Sequence, residues 1–257
     1  MDKQHIFVNI PVLNEEECVE ELIDELQQAL SGISHTILFV DDGSTDKTLH
    51  ILNKRKRVYT EINVLNREKM GKGCQRGGAL FEGMKWGLQN TKSTIFVEMD
   101  GDLSHKASEF KFGFDMIYNK GCDIVIGSKY LAKSKTQNRE ISRQSISFFA
   151  NYFLRTLFYF DVTDYSNGFR FYNTKVASYM ANQTFVYTTP IYLSEFLVHC
   201  FDKNFVIGEY ESTYEGRLSG SSKVELSDLT EAIKASILLA LKHHFGFKLP
   251  RDGFKRN

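Results

Sequence analysis

The sequence is short of the features that mark secreted, fibrous or membrane-spanning chains. Three prolines in 257 residues and no low-complexity tract exclude long disordered linkers. Cys18, Cys74, Cys122 and Cys200 lie far apart, with no CxxC and no Cys/His cluster. They are expected to be reduced thiols of an intracellular protein, not a disulfide or zinc framework. No uninterrupted apolar run reaches the roughly 18 residues that a membrane span requires. The N-terminus enters a strand-like segment without a basic-then-apolar signal region. Lys+Arg and Asp+Glu balance at 32 each, so no basic excess marks a nucleic-acid binder. Aromatic residues, by contrast, are plentiful: 21 Phe and 12 Tyr, many of them close together.

Along the first hundred residues strand and helix signals alternate. HIFVNI (5–10) is a short apolar run ended by Pro11. A helix follows, with Asn14 as its expected N-cap, Glu15 to Glu17 in the first turn, and Val19, Leu22, Ile23, Leu26 and Leu30 at helical spacing. TILFV (36–40) predicts a second strand running into Asp41-Asp42-Gly43-Ser44, with Ser44 or Thr45 capping the next helix. Further strands are expected at 62–65, 94–99 and 123–127, with a helix at about 74–89 between the first two. Strands alternating with helices of 10–15 residues predict βαβ units and a mostly parallel sheet. Beyond residue 130 the pattern changes to an aromatic-rich helix at 141–160, a late strand at 205–211, a Gly/Ser-rich loop at 215–223 and a final helix from 226 to about 245. With no internal repeat and no linker, 1–257 reads as one domain, a first half to residue 130 and a second half from 131.

Ligands of such sheets bind beyond the carboxyl ends of the strands. Asp41-Asp42 and Asp100-Gly101-Asp102 both occupy that position. Carboxylates two apart around a glycine can turn towards one point, where Mg²⁺ or Mn²⁺ takes carboxylates together with substrate phosphates. The bland alternative for each cluster is a strand end that caps the following helix. Gly71-Lys72-Gly73 departs from the Walker pattern, and no GxGxxG follows the first strand, so a dinucleotide reading is weak. The glycines still permit close backbone approach at a helix N-terminus, with Lys72 near an anion. Arg217 and Lys223, six apart in a Gly/Ser loop, suit either a flap closing on phosphate or a solvated surface loop.

Jointly, IPVLNEEE (10–17), ILFVDDGSTDKT (37–48), VEMDGDLSH (97–105), IGSKY (126–130), SRQSISFFANYFLRTLF (142–158), DYSNGFRFYN (164–173) and GRLSGSSK (216–223) cover nearly the whole chain. In that order they resemble the family 2 inverting glycosyltransferases, above all the dolichyl-phosphate mannose synthase and polyprenyl-phosphate sugar transferase branch. The resemblance implies an α/β nucleotide-diphospho-sugar transferase (GT-A) fold, with a mostly parallel central sheet flanked by helices. It implies a nucleotide-sugar-binding half at 1–130 and an acceptor half at 131–257. Pro11, Leu13, Glu15, Val40 and Asp42 would border the nucleoside. Asp100, Gly101 and Asp102 would meet the diphosphate and a Mg²⁺ or Mn²⁺ ion, with Asp102 the principal ligand and Ser104 a further metal-site residue. Arg217 and Lys223 match the late phosphate loop. Lys129 stands at the position of a frequent arginine, and Arg143 and Ser147 lie on the helix that helps hold an acceptor phosphate.

The implied reaction moves a hexose from a GDP- or UDP-linked donor to a polyprenyl or dolichyl phosphate. The leaving diphosphate gathers negative charge, which a divalent ion, Arg217 and Lys223 can stabilise. A lipid-phosphate oxygen is already anionic and needs no general base; Lys129 and Arg143 would position it. A saccharide hydroxyl, as in cell-surface glycan synthesis, would want a carboxylate base, for which Asp164 and Glu195 are the candidates. Two departures from the family pattern stand out. Lys129 for arginine loses bidentate phosphate geometry, and Asp-Gly-Asp for Asp-Ala-Asp leaves the ligands in place. The helix at 146–160 reads either as core or as an amphipathic surface meeting a polyprenyl chain or membrane, and Arg155 favours two faces. ASILLALKHHFGFK (235–248) suits a membrane surface and is too short to cross. The expected location is the cytoplasm, including the cytoplasmic face of a membrane. Two rival readings are a nucleotidyltransferase, whose Gly-rich basic signature IPVLNEEE lacks, and a catalytically silent binding domain.

Overall fold

The computed structural model describes residues 4–67, 76–138, 140–187, 189, 191–216 and 226–246, with the side chains of residues 142, 143 and 226–229 outside that description. Strand β1 (His5–Val12) leads to α1 (Val19–Ala29), β2 (Ser34–Asp41), α2 (Thr48–Lys56), β3 (Ile62–Asn66), α3 (Arg76–Asn90) and β4 (Ile95–Glu98). Next come α4 (Phe110–Tyr118), β5 (Ile124–Ser128), β6 (Lys135–Gln137), α5 (Ile141–Phe158), β7 (Arg170–Asn173) and α6 (Thr174–Ala181). The chain ends with α7 (Tyr192–Asp202), β8 (Ile207–Glu211), β9 (Thr213–Glu215) and α8 (Leu226–Phe245).

Seven strands form one sheet in the order β3-β2-β1-β4-β7-β5-β8. All neighbours pair in parallel except β7, which runs antiparallel to both β4 and β5. The sheet is covered on both faces, so its strands read as continuous apolar runs instead of alternating ones. Phe7, Leu38, Phe96 and Ile124 face one core, shared with Phe158, Phe196 and Leu239. Val8, Ile37, Val97 and Val125 face the other, shared with Leu22, Leu26, Phe110 and Phe171. Each such side chain, fully buried, stabilises the fold by roughly 1.5–3 kcal/mol relative to exposure.

Two expected caps are corrected by the structure. Asn14 does not open α1; it has a left-handed φ of 58°, and the helix starts at Val19. Its Oδ1 accepts the Thr45 N–H at 2.8 Å, and its own N–H donates to Ser44 Oγ at 3.0 Å. Ser44 and Thr45 do not cap α2 either. Ser44 Oγ donates to Asp41, and Asp46 Oδ1 accepts the first helical N–H of α2, that of Thr48, at 2.9 Å. The polar residues that signal caps have joined two neighbouring loops, since Glu16 Oε2 also accepts the Lys47 N–H at 2.9 Å. This cross-loop zipper aligns the carboxyl ends of β1 and β2.

Candidate functional site

β1 lies between β2 and β4, so the acidic ends of those two strands flank it, about 10 Å apart at ordinary strand spacing. Val12 pairs with Asp41 and Pro11 with Val40. Leu13 and Glu15 continue from β1 along this edge; Leu13 is exposed, and the Glu15 N–H donates to Thr48 Oγ1 at 2.8 Å. Asp42 is held by its N–H on Val12 O at 3.0 Å and by its carboxylate on Arg67 Nη1 at 2.9 Å. Burial pushes the Asp42 carboxyl above its ordinary range, only partly offset by Arg67. Arg67 is itself buried, with Nε 2.5 Å from Glu82.

The end of β4 carries the triplet. Gly101 is required by crowding: a Cβ there would lie 2.7 Å from Val12 Cγ1 and 3.2 Å from Pro11 O. Leu103 then adopts a left-handed φ of 61°, rare for a non-glycine residue, which folds the loop back on itself. The fold-back lets Asp102 Oδ1 accept the Ser104 N–H at 3.1 Å. His105 Nδ1 accepts the Asp100 N–H at 3.2 Å, so the ring's proton sits on Nε2, which faces Asn167 Oδ1 at 2.9 Å. Burial lowers the His105 pKa against the opposing pull of Asp100 and Asp102, and the ring stacks on Phe169 at 4.9 Å. Asn167 Nδ2 donates in turn to Gly127 O on β5. A hydrogen-bonded chain thus joins the acidic loop to the strand that ends beside Lys129.

Asp100, Asp102 and Ser104 supply only oxygen donors. Ser104 Oγ is buried and has no hydrogen-bond partner among the described residues, as suits a hydroxyl that awaits an external one. Among the described residues no three His, Cys, Asp or Glu side chains cluster to hold a metal. Two carboxylates and a hydroxyl fit a hard divalent ion whose coordination substrate phosphate and water complete.

On the other side of the sheet edge, Lys129 follows β5. Its N–H donates to Asp164 Oδ2 at 3.0 Å, and its Nζ is 3.8 Å from the same oxygen and 5.0 Å from the Tyr214 ring centre. Asp164 is fully buried, and its Oδ1 also accepts Ser166 N–H, Ser166 Oγ and Asn167 N–H, each at 3.0 Å. Glu195 is equally buried and accepts the Val186 and Tyr187 N–H groups at 2.9 and 3.0 Å. The two candidate bases therefore sit inside the protein as acceptors of backbone donors. Lys129 and Tyr130 line a cleft of about 420 Å³ with Thr136, Gln144, Ser145, Phe148 and Phe149. Tyr130 Oη meets Ser147 Oγ at 2.8 Å, which fastens α5 to the cleft. Arg143 lies on α5, with its side chain outside the description.

Arg217 and Lys223, like Lys72, lie outside the described residues. The chain leading to Arg217 is nevertheless placed. β9 pairs with β6, Tyr214 bridges His105, and the Glu215 N–H donates to Ser104 O at 3.0 Å. The described chain therefore reaches Gly216 from beside the acidic loop. Arg67 and Arg76 belong to no motif. Arg67 follows a parallel strand on the same edge as Asp42, which is the signal that would have flagged it; Arg76 had none.

A doubly covered, mostly parallel sheet with acidic loops at the two strand ends that flank β1 is the frame of a nucleotide-diphospho-sugar transferase, and the protein is a glycosyltransferase. The chain belongs to glycosyl transferase family 2, whose model matches residues 7–180. It is 28% identical over 232 residues to polyprenol monophosphomannose synthase of Mycolicibacterium smegmatis, spanning 90% of this chain and 84% of that protein. It is 33% identical over 142 residues to dolichol-phosphate mannosyltransferase of Pyrococcus furiosus, spanning 55% of this chain and 38% of that protein. These relatives support membership of the dolichyl-phosphate mannose synthase branch. Among solved structures, glucosyl-3-phosphoglycerate synthase from Mycobacterium tuberculosis with Mn²⁺, UDP and phosphoglyceric acid superposes with a TM-score of 0.65 at 18% identity, covering 94% of this chain and 78% of that one. The same enzyme with Mg²⁺ and UDP gives 0.64 at 18% identity, covering 94% and 79%. At that identity the likeness establishes the fold, GT-A.

Proposed function

We propose that the protein transfers a hexose, with inversion, from a GDP- or UDP-linked donor to a polyprenyl phosphate, one domain carrying both subsites. The observation that carries this reading is Lys129, an ammonium on a buried carboxylate at a cleft walled by Phe148 and Phe149. A phosphate needs the cation and a polyprenyl chain needs the aromatic wall. The names of the relatives agree with such an acceptor. So does the burial of Asp164 and Glu195, because an anionic acceptor requires no general base.

On this reading Pro11, Leu13, Glu15, Val40 and Asp42 border the nucleoside. Asp100, Asp102 and Ser104 hold Mg²⁺ or Mn²⁺ against the diphosphate, with Arg217 and Lys223 closing on it. A divalent ion held there stabilises the charge that grows on the departing diphosphate. Asp164 positions Lys129, and with an anionic acceptor it is not needed as the base that a saccharide hydroxyl would want. Arg143 and Lys129 orient the acceptor phosphate. Exposed Ile141, Phe148, Phe149, Tyr152 and Tyr159 run along α5 from the cleft and suit contact with a membrane surface. No helix among the described residues is long and apolar enough to cross one.

The deciding experiment measures partition of radiolabelled sugar from each nucleotide donor into organic solvent, with Mn²⁺ and either a polyprenyl phosphate or a saccharide acceptor. Label entering the organic phase only with the lipid phosphate is the expected result. Transfer to the saccharide alone would overturn the acceptor assignment.

A further inference from the structure

Arg76, the first residue of α3, places a guanidinium among the acidic groups at the end of β4. Its Nη2 is 2.7 Å from Asp100 Oδ1 and 3.5 Å from Glu98 Oε1, and its Nη1 donates to Tyr192 Oη at 2.8 Å. The Tyr192 ring lies 5.8 Å from its Cζ. Gly168 makes room for it: a Cβ there would stand 2.1 Å from Nη2. Glu98 also accepts the hydroxyls of Tyr172, at 2.6 Å, and Tyr192. Burial raises both phenol pKa values far above the ordinary one, so these hydroxyls remain neutral donors. A guanidinium is a permanent cation in proteins, and the Asp100 and Glu98 carboxylates beside it only reinforce that for Arg76.

Among the described residues the strand end therefore brings the carboxyl groups of residues 98, 100 and 102 together beside the Arg76 cation. A divalent ion approaching Asp102 meets a like charge already committed to Asp100. A mere strut and a charge regulator in this place make opposite predictions. Removing a strut weakens the fold and leaves ion affinity alone; removing a counter-cation makes the site more negative and strengthens ion binding.

We propose that Arg76 is the counter-cation of Asp100: it leaves Asp102 as the principal metal ligand and keeps the ion weakly held until a nucleoside diphosphate arrives to share it. This rests on the metal-dependent donor binding proposed above. The arrangement makes ion and donor bind as a pair, because the diphosphate supplies the negative charge that Arg76 has neutralised.

The test measures Mn²⁺ binding by electron paramagnetic resonance, without and with GDP or UDP, in the full chain and in Arg76→Met, Arg76→Lys and Gly168→Ala. Arg76→Met should bind Mn²⁺ about tenfold more tightly without nucleotide, the scale set by a unit charge a few ångströms away in a partly screened site. Its gain in affinity on adding nucleotide should shrink. Arg76→Lys keeps the charge and should stay within about twofold of the parent. Gly168→Ala displaces only the flexible end of Arg76 and should shift affinity in the same direction as Arg76→Met. Unchanged or weaker Mn²⁺ binding in a folded Arg76→Met overturns the proposal. If that variant does not fold, unchanged binding in Gly168→Ala overturns it instead. A parent that binds no Mn²⁺ with either nucleotide removes the metal reading itself, a different failure.

Discussion

Asp164 Oδ2 accepts the backbone N–H of Lys129 at 3.0 Å and stands 3.8 Å from the ammonium of the same residue. One carboxylate fixes both the start and the tip of the lysine, so the charge at the cleft is held before any acceptor binds.

Asp164→Asn should therefore lower stability by about 3 kcal/mol, the usual result of removing one partner from a buried pair. It should raise the acceptor KM while leaving the donor KM unchanged. Urea melts and steady-state kinetics check both. A collapse of kcat with normal stability and normal acceptor KM would instead make Asp164 the general base.

Asp102→Asn preserves an acceptor for the Ser104 N–H and removes the charge. Turnover should fall about 100-fold or more, the scale of losing a main electrostatic contact to the leaving group. Melting temperature should move little. Near-normal activity would take Asp102 out of the metal site.

Gly101→Ala pushes a methyl to within 2.7 Å of Val12 Cγ1. A cost of about 1–3 kcal/mol is expected from overpacking. Combining it with Val12→Ala should recover part of that loss, which a double-mutant cycle in urea reads directly. Strict additivity of the two changes would place the strain elsewhere.

His199 is half-hidden behind Tyr179 and α8. Burial first, and Lys242 second, lower its pKa to about 4. Below the ordinary value of 6.5 the unfolded chain takes up a proton that the folded one refuses. This residue's contribution is thus complete above pH 6.5 and is lost as pH falls towards 4, by up to about 3 kcal/mol. His199→Gln should flatten the stability profile between those values; an unchanged slope assigns it to other groups.

Phe148 and Phe149 are 53% and 67% exposed, so replacing both with serine should leave the melting temperature nearly unchanged. Co-sedimentation with anionic phospholipid vesicles should fall several-fold, as buried apolar area drives such contact. Undiminished sedimentation would move the membrane surface away from α5.

The alternation of strands and helices was legible because each element's apolar period is a local property. β1 to β5, α1 to α3, α5 and α8 all lie where runs such as HIFVNI, TILFV and the 226–245 pattern place them. The acidic loops were legible for the same reason: they follow strands whose parallel order the alternation implies. Less visible were β7, which enters antiparallel between β4 and β5, and α6 and α7, which lie beyond the strand–helix alternation of the first hundred residues.

The sequence by itself determined the family, the strand–helix alternation and the strand ends on which Asp42, Asp100 and Asp102 stand, because apolar runs and loop composition are written in consecutive residues. Only the tertiary structure decided their partners. Asn14 and Ser44 left their helix caps to zip two loops, Asp164 turned inward to hold Lys129, and Arg76 came across to Asp100. Those choices depend on which polar groups meet across separations of dozens of residues. A buried donor or acceptor must find its partner wherever the fold puts one.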